Sequence, residues 1–109
     1  MHGLLDSSFS WFANKDPKLC LPYILCDLGL DVWILNNRGN RFSIGHEFLK
    51  NLKNNRVFWD FSFDEIAKYD VPANVLYIKS VTMCEKVVYI GHSQGTTQLF
   101  AHLTLNPEF

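Results

Sequence analysis

Gly91, His92, Ser93, Gln94 and Gly95 place one serine hydroxyl between two glycines in the pattern Gly-x-Ser-x-Gly. On a tight turn from a strand into a helix, that pattern lifts the hydroxyl clear of the backbone, where it can attack a carbonyl carbon. Side chains two before and two after the serine would collide in so tight a turn, hence glycine at both. The following helix aims its first amides and positive dipole end at the reacting centre, where negative charge develops. His2, Gly3, Leu4 and Leu5 carry a second feature of the same chemistry. A glycine there lets the backbone come close to a substrate, and the next amide can donate to an oxyanion. The candidate site is therefore Ser93 as nucleophile, the main-chain amides of Leu4 and Gln94 as oxyanion donors, and Gly91, His92 and Gly95 as the turn. The plain competitor is a serine that only caps a helix; the loop at 2–5 speaks against it.

Asp31 to Leu35 and Lys86 to Ile90 are short apolar runs that predict two buried strands, the second leading into the serine turn. Pro17 to Leu28 has apolar residues at helical spacing, with Gly29 where a helix C-cap belongs. Asn37 to Asn55 is polar and poorly periodic, a long functional excursion. From Ser62, the residues Phe63, Ile66, Ala67, Val71, Val75, Leu76, Ile78 and Val81 recur at near-helical spacing, with Asp64 and Glu65 at the start. Pro72 suits a first turn, so two helices meeting near Asp70 are expected. A last helix runs from Thr96 to Leu105 and stops before Pro107. The alternation predicts an α/β fold, a parallel sheet flanked by helices, as one domain over residues 1–109.

Hydrophobic residues are 48% of the 109-residue chain and charged ones 19%, a globular composition. The net charge of -1, with basic residues scattered among acidic ones, argues against nucleic acid as a partner. Cys20, Cys26 and Cys84 have no metal-ligand spacing and are read as fillers of apolar space; no metal or cofactor is expected. No membrane-length apolar run and no signal-peptide pattern are present, which leaves the compartment open.

Taken together, several motifs in order resemble the acid lipases, the group of gastric lipase, lysosomal acid lipase and fungal steryl ester hydrolases. They are His2 to Leu5 with Ser8 and Trp11, Asp31 to Trp33, Asn37 to Asn40, Phe58 to Glu65, Lys68 to Ala73, and Gly91 to Thr97. The resemblance implies an α/β-hydrolase fold and hydrolysis of a hydrophobic ester, an acylglycerol or steryl ester, through an acyl-enzyme on Ser93. It also implies peripheral contact with a lipid surface in the whole protein. Arg38 is read as an ion-pair partner that buttresses its loop.

In this fold the acid and base follow the nucleophile, in the order Ser, Asp, His. Only 16 residues follow Ser93, and His102 stands nine helical residues away, about 13 Å. His2, His46, His92 and His102 are all read as structural, with His92 turned away from Ser93. The triad Asp and His are thus expected outside this chain, which reads as a partial domain truncated at both ends. The alternatives are a truncated, inactive lipase-like binding module and a different hydrolase of the same fold, a peptidase or thioesterase.

Overall fold

A computed structural model describes all 109 residues. Pro17–Leu19 forms a 3-10 turn whose N-cap, Asp16, accepts from the Lys18 amide. Helix α1, Leu21–Asp27, follows at once with Pro22 in its first turn, where the missing N–H costs nothing. Its end is a Schellman motif: Gly29 N donates to Cys26 O at 2.8 Å and Leu30 N to Leu25 O at 3.1 Å. Gly29 adopts φ +83°, the left-handed conformation that the expected cap requires.

The second helical region is continuous where two helices were expected. It opens with α2, Phe63–Glu65, under a capping box in which the Ser62 hydroxyl accepts from the Asp64 amide and Glu65 reaches back to Ser62 N. A π turn, Ile66–Asp70, leads without a break into α3, Val71–Thr82. Val71 N donates to Ile66 O, five residues back. That wider turn lies immediately before Pro72, which has no amide hydrogen to give, and so the chain passes the proline without separating into two helices. Helix α4, Gln94–Leu105, completes the fold. The buried core is small: Ile66, Ala67, Val71, Val75 and Ile78 of the second region, with Gln98 and His102 of α4. No helix is long and apolar enough to cross a membrane.

The expected parallel sheet does not form. Residues 31–36 and 86–92 are extended, but no ladder joins them. They face each other across a cavity of about 400 Å³ instead of lying side by side, and strands pair only at about 4.8 Å. The cysteines also depart from expectation, since Cys20 is buried but Cys26 and Cys84 are exposed.

Candidate active site

Ser93 is exposed at the point where the second extended stretch turns into α4. Its backbone has φ 52° and ψ -121°, outside the regions open to most residues, a conformation that costs about 1–3 kcal/mol. Three bonds hold the turn: Gly95 N to His92 O at 2.8 Å, and Thr96 N and Thr97 N to Ser93 O at 2.9 and 3.3 Å. They use the first amides of α4 except that of Gln94, which has no partner in the protein.

The two glycines are required for different reasons. A Cβ on Gly91 would lie 2.7 Å from Thr96 N and 2.8 Å from the Gly95 carbonyl carbon, the expected collision within the turn. A Cβ on Gly95 would instead meet Met1 O at 2.6 Å and His2 O at 2.7 Å. The elbow and the loop at 2–5 therefore lie backbone against backbone. Gly3 closes the same junction, because its missing Cβ would be 3.2 Å from both His92 Nδ1 and Ser93 Cβ. His92 Nδ1 and Ser93 Cβ thus both lie against Gly3. Neither the Ser93 hydroxyl nor the His92 ring makes a hydrogen bond.

Behind the site lies a polar network that the sequence analysis missed. His2 is buried, and its Nε2 accepts from Asn37 N at 3.1 Å and sits 3.1 Å from Asn40 Nδ2. An amide N–H can only donate, so Nε2 carries no hydrogen and Nδ1 donates to Gly3 O at 2.8 Å. With the Gly3 carbonyl held on that side, the planar trans peptide turns the Leu4 N–H the opposite way, and that amide is unpaired. Asn37 and Gln98 exchange two side-chain bonds of 3.1 and 3.2 Å. Gln98 also reaches the Tyr89 hydroxyl at 3.3 Å, which donates to Gly95 O at 2.8 Å. Burial pushes the Tyr89 pKa up to about 12, partly opposed by the Gln98 bond. These contacts join residues 35 and 61 positions apart, and polar residues at 37 and 98 gave no periodic signal.

The remaining histidines stand elsewhere. His102 is buried with Nδ1 2.9 Å from Ala67 O and its ring edge-on to Phe109, while His46 is exposed and accepts from Phe48 N and Leu49 N. Arg38 makes the ion pair expected of it: Nε meets Asp70 Oδ1 at 2.7 Å, and its main-chain N meets Oδ2 at 2.8 Å.

A sharp turn into a helix with its serine exposed, laid against a glycine loop with a free amide, fits an α/β hydrolase. The chain belongs to the alpha/beta hydrolase fold family, whose model matches residues 1–109. Its resemblance to the acid lipases extends over nearly its whole length. It is 49% identical over 96 residues to lipase member J of Homo sapiens, covering 88% of this chain and 25% of that protein. Lysosomal acid lipase/cholesteryl ester hydrolase of Homo sapiens is 46% identical over 107 residues, 98% of this chain and 26% of that protein. Gastric triacylglycerol lipase of Rattus norvegicus is 45% identical over 106 residues, 97% and 26% respectively. The chain spans about a quarter of the length of the curated relatives it matches.

Proposed function

We infer that residues 1–109 are the nucleophile-bearing part of a serine hydrolase that cleaves carboxylic esters of lipids, acylglycerols or steryl esters. The names of its relatives, lipases of triacylglycerols and cholesteryl esters, support the substrate class. The observation that supports the reading is the abutment of Gly3 on Ser93, with the amides of the next residues along, Leu4 and Gln94, left without a partner in the chain. Ser93 Oγ attacks the ester carbonyl carbon, the carbonyl oxygen takes the negative charge, and the Leu4 and Gln94 amides donate to it. The alkoxide leaves with a proton, the acyl group stays on Ser93, and water then releases the acid.

The proton must pass to a base that none of the four histidines of this chain supplies. His2 is fixed in the network, His102 is about 13 Å along the helix from Ser93, His46 caps an exposed turn, and the His92 ring has no bond to Ser93. The base and its orienting carboxylate come from outside residues 1–109, as the chain order of this fold requires. Within the whole protein the parallel sheet is completed around the extended stretches.

Two assays test this. In a full-length protein carrying residues 1–109, Ser93→Ala is expected to lower kcat on a short-chain acylglycerol by roughly a millionfold. The isolated 109-residue chain is expected to show no turnover above its own Ser93→Ala variant. Full-length activity that survives Ser93→Ala sinks the assignment of the nucleophile, and Ser93-dependent turnover by the isolated chain sinks the assignment of the base.

A further inference from the structure

The hydrolytic reading asks two amides from opposite ends of the chain, those of Leu4 and Gln94, to meet one oxygen, each within about 2.7–3.1 Å of it. Main chain is bonded to main chain between the two segments only at Met1, whose N donates to Ile90 O at 2.6 Å and whose O accepts from His92 N at 3.0 Å. Beyond that rung Gly3 and Leu4 make no hydrogen bond to the elbow. The contacts that do hold them lead to Gln98. The inward face of α4 is Gly95, Gln98 and His102, so its most buried long side chain is an amide where leucine would leave no polar group to satisfy. A buried amide costs stability unless it is bonded, and Gln98 is bonded through both ends. Its Oε1 accepts from Asn37 Nδ2 at 3.1 Å, and its Nε2 donates to Asn37 Oδ1 at 3.2 Å and to the Tyr89 hydroxyl at 3.3 Å. One arm runs to the loop: Asn37 N donates to His2 Nε2, and His2 Nδ1 donates to Gly3 O, which sets the plane of the peptide that carries the Leu4 N–H. The other arm runs to the elbow, where the Tyr89 hydroxyl donates to Gly95 O in the first turn of α4.

We propose that Gln98 is a positioning residue for ester hydrolysis, the bridge that sets the Leu4 amide relative to the Gln94 amide. The inference rests on the hydrolytic reading of Ser93. Gln98 stands about one helical turn beyond Gln94, and a helix moves residues one turn apart as one body. Its side chain fixes α4 to Asn37, Asn37 fixes the His2 ring, and the ring fixes the Gly3–Leu4 peptide. His2, Asn37 and Gln98 are all buried, so water does not compete for these bonds and the network holds a single arrangement. Stability alone does not call for it, because replacing both partners of a buried polar pair by apolar groups of the same shape is nearly neutral.

The test uses the full-length protein carrying residues 1–109, a short-chain acylglycerol, and butylboronic acid, which becomes tetrahedral on a serine hydroxyl and mimics the transition state. Gln98→Met keeps the reach of the side chain and removes its amide. It is expected to lower kcat by about 10- to 100-fold, with KM within about twofold of the parent. Boronate affinity should weaken by the same factor as kcat/KM. A merely structural Gln98 would reduce the number of folded sites and leave the boronate affinity of the remaining ones unchanged. Asn37→Leu combined with Gln98→Met removes both partners, and should be as slow as Gln98→Met while unfolding in urea close to the parent. Should Gln98→Met not fold, Tyr89→Phe, which removes one hydroxyl, decides alone, with a smaller loss in kcat and boronate affinity alike. Parental kcat in the deciding variant overturns the bridge, as does a lower kcat with unchanged boronate affinity. Ser93→Ala in the same protein separates the two readings. If it abolishes turnover and boronate binding while Gln98→Met behaves as the parent, only the bridge is lost; activity that survives Ser93→Ala overturns both.

Discussion

Gly95 sits where the elbow meets the loop at 2–5, and its contacts there are with main-chain oxygens that cannot rotate away. Alanine is the better helix former by about 1 kcal/mol, so on propensity alone Gly95→Ala would stabilise α4. Overpacking against Met1 O and His2 O works the other way, and the net effect expected in urea unfolding is a loss of about 1–3 kcal/mol. Tyr89 makes a second residue-scale test. Its folded pKa, raised by burial to about 12, lies above the ordinary value near 10. The folded state thus binds the Tyr89 proton through a range where the unfolded chain has lost it. Stability falls as pH rises from about 10 to about 12 and is unaffected by this group below that window. Ultraviolet titration should show one of the four tyrosines ionising last, and Tyr89→Phe should remove that step.

At the scale of elements, the loop after the first extended stretch is tied to the helical region through one carboxylate. Asp70 takes both bonds of Arg38, with its side chain only 10% exposed and that of Arg38 35% exposed. Asp70→Ala is expected to cost about 2 kcal/mol, the range of hydrogen bonds to charged groups. It should also speed proteolysis within residues 37–60, measurable by limited digestion. Much at this scale was legible. Gly29 as a C-cap, the start of the second helical region at Ser62, the serine turn and the pairing role of Arg38 all follow from local chemistry. What was not legible depends on distant partners. The double bond between Asn37 and Gln98 and the fixing of His2 join residues that only the fold brings together. The sheet failed because an apolar pattern states that a strand is buried, not what it lies beside.

For the molecule as a whole, the surface tells the same story. The chain exposes 8070 Å², where a compact protein of its mass exposes about 6,200 Å². Its radius of gyration is 15.0 Å, against about 13 Å for a compact domain of this length. The surplus belongs to apolar side chains such as Leu5, Phe48 and Val88. Stability should therefore be uneven. Amides of residues 86–90 are expected to exchange with solvent deuterium almost freely, and those of Val75 to Ile78 to be protected by the helix and core. Protection spread over 86–90 in the isolated chain would show that a ladder forms there after all.

The π turn has one more consequence. The buried positions of the second helical region fall at 66, 67, 71, 75 and 78; Ile66 and Val71 stand five apart, and the steps after Val71 are four and three. A regular helix advances about 100° per residue, and with one residue fewer between Ile66 and Val71 the inward stripe would stay in line. The extra residue is absorbed as a local underwinding that resets the phase between the two halves. Loss of one residue at Lys68 would let the helix rewind to regular pitch with little change to its face, whereas one more inserted there would swing Ile66 and Ala67 out toward water and take from His102 the carbonyl it leans on.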